Sequence, residues 1–213
     1  MKRTAIICAL MCVLGMTTLS AQNQGDMYIS GNISMSGSSS TDIAGNTSTK
    51  SPEGFSLGLA PQFGYFVIDN LEVHLGLNYV FSKYPNTSLD PTGRENTSMF
   101  FIQPGVSYYL NVFDNKFFYT PGIDLGIGFG GTNYKTDNSK QKVSSLTRFY
   151  MTLNLLSFEF RPVDNFGISF RAGDLTYTFN QTVSATNKEY KTNRNSFNFG
   201  LNLGASIGFR YYF

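Results

Sequence analysis

The chain has 213 residues, among them 20 Phe and 13 Tyr but no Trp, with 16 Lys and Arg against 14 Asp and Glu. This length suits a single all-β domain. The near balance of charge, with no basic run, excludes a nucleic-acid footprint. Beyond the N-terminal segment no stretch is apolar over the roughly 18 residues a membrane-crossing helix needs.

Taken in order, the chain opens on the positive Met1-Lys2-Arg3, continues through an apolar run at 5–16 and reaches Leu19-Ser20-Ala21. This is the grammar of a secretory signal: the run is shorter than the ~20 residues of a spanning helix. Residues 1–21 are therefore expected to be removed, leaving 22–213 as one barrel domain. Without Lys2 and Arg3 the basic count of 16 falls to 14, equal to the acids. Cys8 and Cys12 both lie in the signal, and Ile7 and Met11 before them are not the small residue a lipid anchor requires. The mature chain is expected to have no disulfide, no thiolate metal site and no Cys nucleophile.

Eight segments then alternate with period two, the mark of strands with two unlike faces. The first, 27–35, sets Ile29, Gly31, Ile33 and Met35 against Ser30, Asn32 and Ser34. The second, 54–67, sets Phe55, Leu57, Leu59, Pro61, Phe63, Tyr65 and Val67 against Ser56, Gly58, Ala60, Gln62 and Gly64. The third (71–81), fourth (99–110) and fifth (116–130) repeat the pattern. In the sixth (146–161) the parity slips at Leu155-Leu156, and in the seventh (166–179) near Gly173; a β-bulge at each place would restore it. The eighth, 195–213, alternates throughout: Phe197, Phe199, Leu201, Leu203, Ala205, Ile207, Phe209, Tyr211 and Phe213 face away from Ser196, Asn198, Gly200, Asn202, Gly204, Ser206, Gly208, Arg210 and Tyr212.

The connections alternate long and short. Polar loops at 36–53, 82–97, 131–144 and 180–194 separate turns at 68–70, 111–115 and 162–165, and each turn carries Asp-Asn: Asp69-Asn70, Asp114-Asn115 and Asp164-Asn165. Such an order gathers every long loop at one end. A water-facing sheet would carry Lys, Glu and Thr opposite its apolar face. Here that face carries Gly, Ser and Asn, which suit a crowded interior. The pattern predicts an all-β, eight-stranded antiparallel up-and-down transmembrane β-barrel with its apolar face turned to lipid. A soluble barrel with the apolar face inside is the alternative.

Pro61-Gln62-Phe63-Gly64-Tyr65-Phe66 and Pro104-Gly105-Val106-Ser107-Tyr108-Tyr109 resemble strand-to-turn motifs of small OmpA/OmpX-like outer-membrane barrels. The resemblance covers the mature chain. It implies a bacterial outer-membrane protein without the peptidoglycan-binding domain of longer members. It also implies that Phe209, Tyr211 and Phe213 form the C-terminal signal read by the barrel assembly machinery.

Charge on the lipid face of a barrel costs ~2–4 kcal/mol for Arg or Lys at mid-membrane, so strand charges should point inward. The inward set is Glu72, Asp124, Glu159 and Asp174 against Arg148, Arg161, Arg171 and Arg210, with His74 beside Glu72. Eight strands enclose only enough space for their own side chains. The expectation is a lumen plugged by ion pairs, Arg171 with Asp124 and Arg210 with Glu72 or Glu159. The glycines of 126–131 would make room for a large opposing residue such as Arg171 or Tyr150. No Ser lies two residues after His74, and no Ser-His-acid set is legible. Catalytic, cofactor and metal sites are therefore all expected to be absent.

Function is expected in the long loops. Lys135, Lys140, Lys142, Lys188, Lys191 and Arg194 stand there against Asp137 and Glu189, suited to lipopolysaccharide phosphates. The expected partners are outer-membrane lipid and lipopolysaccharide, the assembly machinery, and a surface ligand held by the loops, with no nucleic acid and a monomeric barrel. The expected role is structural or surface interaction: membrane integrity, adhesion or host contact. The alternatives are a narrow transporter of small hydrophobic molecules with lateral exit and a lipid A-modifying enzyme.

Overall fold

The computed structural model describes residues 23–39, 41–44, 47–50, 53–86 and 93–213, with backbone alone at 41–44, 47–50 and 202–207. The expected signal segment, its cleavage site and both cysteines lie outside the described residues.

In chain order the strands are β1 (Met27–Ser38), β2 (Thr41–Ala44), β3 (Thr47–Lys50), β4 (Gly54–Ile68), β5 (Leu71–Pro85), β6 (Arg94–Tyr108), β7 (Leu110–Phe113), β8 (Phe117–Tyr119), β9 (Gly122–Lys135), β10 (Lys140–Val163), β11 (Phe166–Ser184) and β12 (Lys191–Tyr212). The order β11-β12-β1-β4-β5-β6-β9-β10 closes through β10 onto β11 into an eight-stranded antiparallel ring. The short strands are accessories. β7 and β8 prolong β6 and β9 into one hairpin beyond Tyr109 and Thr120-Pro121, and β2 pairs only with β3.

The apolar set faces outward, so Leu59, Phe63, Leu75, Leu77, Ile102, Leu125 and Ile127 are all exposed around the ring. The buried side chains lie on the opposite parity, inside. The parity slips are found as bulges: the β10–β11 register skips Leu155, and Ala172 is passed over beside Gly173. In the β11–β12 ladder Gly173 pairs with Leu201 and Arg171 with Ser206, a register shift between Arg171 and Gly173; the side chains of 202–207, and the expected alternation there, lie outside the described residues. Proline leaves its own mark, since it offers no N–H to the ladder. The β4–β5 ladder has a gap between Leu59 and Gln62, around Pro61, and the β6–β9 ladder one between Ile102 and Gly105, around Pro104, with the register unchanged across each.

Two expectations about connections need correction. The third and fourth long loops are largely strand: β9 and β10 pair out to Lys135 and Lys140, and β11 and β12 to Val183 and Lys191. A tilted membrane strand needs only ~9–11 residues, whereas β10 has 24 and β12 has 22. The wall thus continues well past any apolar belt at the long-loop end. The turns also differ among themselves. Asn70 takes φ 65°, and Asp114 and Asn115 take φ 49° and 50°, conformations that Asn and Asp tolerate better than most residues. Asp164 and Asn165 do not have positive φ, so the Asp-Asn repeat is not one repeated backbone.

Candidate functional site

The short-turn half of the lumen is closed by a cluster that six strands build together. Parity sends Tyr28 of β1, Phe66 of β4, Glu72 of β5, Phe118 of β8, Glu159 and Arg161 of β10, and Arg210 and Tyr212 of β12 inward, with Tyr109 between β6 and β7. Tyr28, Phe66, Tyr109, Phe118 and Tyr212 are buried together, with tilted or edge-on ring contacts between Tyr28 and Tyr212 and from Tyr109 to Phe66 and Phe118.

The two glutamates bind it together. Glu72 accepts from Tyr28 Oη at 2.6 Å, Tyr109 Oη at 2.6 Å and Arg210 Nη1 at 3.1 Å. Glu159 accepts from Arg161 Nε at 2.5 Å, Tyr212 Oη at 2.5 Å and Arg210 Nη1 at 3.0 Å. Arg210 therefore joins both carboxylates where the sequence offered one or the other, and it also donates to Tyr109 Oη. Its guanidinium carbon lies 4.6 Å from the Tyr28 ring centre, and that of Arg161 lies 3.8 Å from the Tyr212 ring centre. Aromatic faces stabilise desolvated cations, so each arginine is held by carboxylate and ring together. Burial of charge is tolerable only with this degree of pairing.

Above this layer His74 lies between carboxylates, Nδ1 2.7 Å from Glu72 and Nε2 2.7 Å from Asp124. Both nitrogens can donate only in the doubly protonated ring. Asp124 also accepts from Asn154 Nδ2 at 2.8 Å and pairs with Arg171 Nη2 at 3.6 Å. Neither histidine nitrogen is left to activate a hydroxyl, so the geometry offers no Ser-His pair at this residue.

Glycines seat the large side chains. A Cβ on Gly64 would fall inside the Tyr28 ring, and one on Gly105 would meet His74 and Asp124. In the run at 126–131, Gly126 lies under Tyr150 and Gly128 under Phe101; Arg171 does not use that space.

Two residues of the inward set stand apart from the ion-pair cluster. Arg148, near the long-loop end, donates to Asn180 Oδ1 at 2.5 Å and lies over the Phe101 ring. Asp174 accepts from Thr176 Oγ1 at 3.5 Å. Neither forms an ion pair among the described residues. The balance of four against four becomes three carboxylates (Glu72, Asp124, Glu159) facing Arg161, Arg171, Arg210 and His74. Sequence reasoning missed the tyrosines. Even parity did place Tyr28, Phe66, Phe118 and Tyr212 on the small-residue face, and that misfit of size was the available signal.

Between the cluster and the long-loop end lies a polar chamber, two adjoining cavities of about 200 and 180 Å³ that share Gln62, Gly76, Gln103, Ser157, Arg171 and Arg210 as lining. Asn154 Oδ1 and Tyr150 Oη, which border it, are buried without a hydrogen-bond partner. At the long-loop end Lys142, Lys188 and Lys191 line one groove of about 470 Å³ with Val183 and Ala185. Arg194 lines a different one, beside Arg148 and Asn180. Lys135 and Lys140 are cross-strand partners at the tip of β9 and β10. At the chain end Phe209 is exposed and stacks on Phe166 at 5.8 Å, while Phe213 exchanges backbone hydrogen bonds with Met27.

No protein-family model matches the chain, and no curated protein matches it. Solved structures do. The attachment invasion locus protein Ail of Yersinia pestis is 16% identical over 89% of this chain and 99% of that one, with a TM-score of 0.47. Neisserial surface protein A is 16% identical over 89% and 100%, with a TM-score of 0.44. The outer membrane protein OprG of Pseudomonas aeruginosa is 17% identical over 92% and 99%, with a TM-score of 0.42. None of these likenesses bears on what this chain does.

Proposed function

We propose that the protein is a bacterial outer-membrane barrel with a structural and surface-interaction role, acting through the strands and loops that extend beyond the membrane. The supporting observation is the sealed inner half of the lumen. Arg210 bridges Glu72 and Glu159 among buried aromatic rings, an arrangement that obstructs the axis. The outward belt of Leu, Ile and Phe suits hydrocarbon rather than water. The long-loop end is the surface presented outside, and Lys135, Lys140, Lys142, Lys188, Lys191 and Arg194 are the cations set to meet lipopolysaccharide phosphates. Phe209, Tyr211 and Phe213 serve as the assembly signal. The chain acts as a monomer, without a cofactor and without a catalytic centre.

Cell fractionation with a paired gel tests this. The protein should be recovered with the outer membrane and migrate differently before and after heating, and the purified barrel should not conduct in a planar bilayer. Recovery in the periplasmic supernatant would contradict the location, and stepwise openings would contradict the sealed lumen.

A further inference from the structure

Among the described residues, the charges packed in and above the aromatic cluster do not cancel. Glu72, Asp124 and Glu159 face Arg161, Arg171 and Arg210, acid against base in equal number. His74 tips the balance. Its two nitrogens each lie 2.7 Å from a carboxylate oxygen, and each such contact needs a proton between the two atoms. Two contacts hold two protons, whichever atoms carry them, so the group has one positive charge in excess. Arg148 and Asp174, which stand apart, contribute one charge of each sign, and 202–207 contains no charged residue. Buried charge is tolerated only when paired, so the surplus calls for an anion.

The surplus can be located. Arg161 lies 2.5 Å from Glu159, and Arg210 lies 3.1 Å from Glu72 and 3.0 Å from Glu159. Arg171 is held more loosely, 3.6 Å from Asp124 Oδ2. That oxygen already accepts from Asn154 Nδ2 at 2.8 Å. Arg171 lines both cavities of the polar chamber. Two further groups of the chamber wall lack partners among the described residues: Asn154 Oδ1, on a side chain only 4% exposed, and Tyr150 Oη. Asn154 and Arg171 meet at the same oxygen of Asp124, so one small molecule can reach both. The cavity that Asn154 and Tyr150 line is walled by β4, β5, β6, β9 and β10, with Arg171 and Arg210 reaching in. No residue of 202–207 belongs to it.

We propose that this chamber binds one small monovalent α-hydroxycarboxylate, of the size of glycolate or lactate. The carboxylate pairs with Arg171, whose planar fork suits it, and accepts from the Tyr150 hydroxyl. The hydroxyl on the neighbouring carbon donates to Asn154 Oδ1, an acceptor that is costly to leave unpaired. A single negative charge cancels the surplus, which a zwitterion or a neutral solute would leave in place. A volume of about 180 Å³ holds a few carbons and excludes an acyl chain. Glu72, Glu159 and Arg210 form the floor, so the site retains its ligand rather than passing it on.

Equilibrium dialysis of radiolabelled lactate against the purified mature chain in a neutral maltoside detergent tests the site, with heat-modifiable migration read on each sample. Lactate should bind saturably, one per barrel. Propionate lacks the hydroxyl, lactamide lacks the charge and alanine is a zwitterion; each should compete at least about tenfold more weakly, since each leaves a buried group unmatched. Arg171→Gln should weaken lactate binding at least about tenfold, Tyr150→Phe should weaken it by a smaller factor, and Arg148→Gln should leave it unchanged. No saturable binding to the folded barrel, equal competition by any of the three analogues, or unchanged affinity in folded Arg171→Gln would overturn the site while leaving the membrane barrel standing. If Arg171→Gln does not migrate as a folded barrel, the analogue series and Tyr150→Phe decide, and unchanged affinity in Tyr150→Phe would overturn the site.

Discussion

The two ends of the lumen were made from the same alphabet of alternating strands and came out differently. In the short-turn half, β1 and β12 are paired, Tyr28 and Tyr212 meet at 5.5 Å between ring centres, and two glutamates are fully buried. In the long-loop half no pairing is found across the β1–β12 seam between the described residues, and β1 at 31–38 and β12 at 191–199 are exposed on both faces. The difference teaches that closure follows side-chain size on the inward face. Where that face carries Tyr, Glu and Arg, the strands are drawn together around shared hydrogen bonds. Where β1 carries Asn32, Ser34 and Ser36, it offers no large side chain to draw the seam together.

The contrast can be broken most severely at Glu159. Glu159→Ala would leave Arg161 buried without its carboxylate and Arg210 with Glu72 alone, and loss of one partner from a buried ion pair costs about 3–5 kcal/mol. Urea unfolding of the barrel in lipid, followed by the heat-modifiable gel shift, should show a loss of that order. A smaller step is Tyr212→Phe, which removes one hydroxyl donor from Glu159 and keeps the ring over Arg161. A hydrogen bond to a charged group contributes about 1.5–3 kcal/mol, and the same titration should read it.

Glycine substitutions sharpen the comparison further. Gly64→Val drives a side chain into the Tyr28 ring, and overpacking of this kind costs about 1–3 kcal/mol. Gly31→Val stands at the boundary of the seam, where the nearest atoms to a new Cβ are 3.8 Å away. It should change stability by less than about 0.5 kcal/mol, the usual range for open surface sites. Equal effects at Gly64 and Gly31 would erase the distinction between a packed half and an open one. The smallest effect is expected at the rim: Lys142→Ala should leave unfolding within about 0.5 kcal/mol of the parent, because exposed charges contribute little.

Much of this was legible beforehand, for reasons that particular residues make plain. The period of two in 54–67 told which side chains face out, and the slips at Leu155-Leu156 and near Gly173 marked real bulges. Asp69-Asn70 and Asp114-Asn115 announced turns because few other residues accept positive φ. What parity cannot carry is depth along the barrel. It put Tyr28, Phe118 and Tyr212 inside, yet nothing in the alternation said that they, with Tyr109, share one level with Glu72 and Glu159. It also put Arg148 and Asp174 inside without showing that they stand apart from that level. The extension of β9 to β12 into the expected loops was hidden for a different reason. Past the belt both faces meet water, so Lys, Ser, Thr and Asn occupy both and the alternation vanishes although the ladder continues.

Site-directed spin labelling in a lipid bilayer tests the inside-out arrangement most directly, using single cysteines in the mature chain at Leu125→Cys and Thr152→Cys. These positions lie on adjacent paired strands but opposite faces of the wall. The label at 125 should be relaxed strongly by oxygen dissolved in the bilayer and hardly by a water-soluble nickel chelate, and the label at 152 should be sheltered from bilayer oxygen. A label at 125 shielded from oxygen, with the one at 152 freely relaxed by it, would contradict the account.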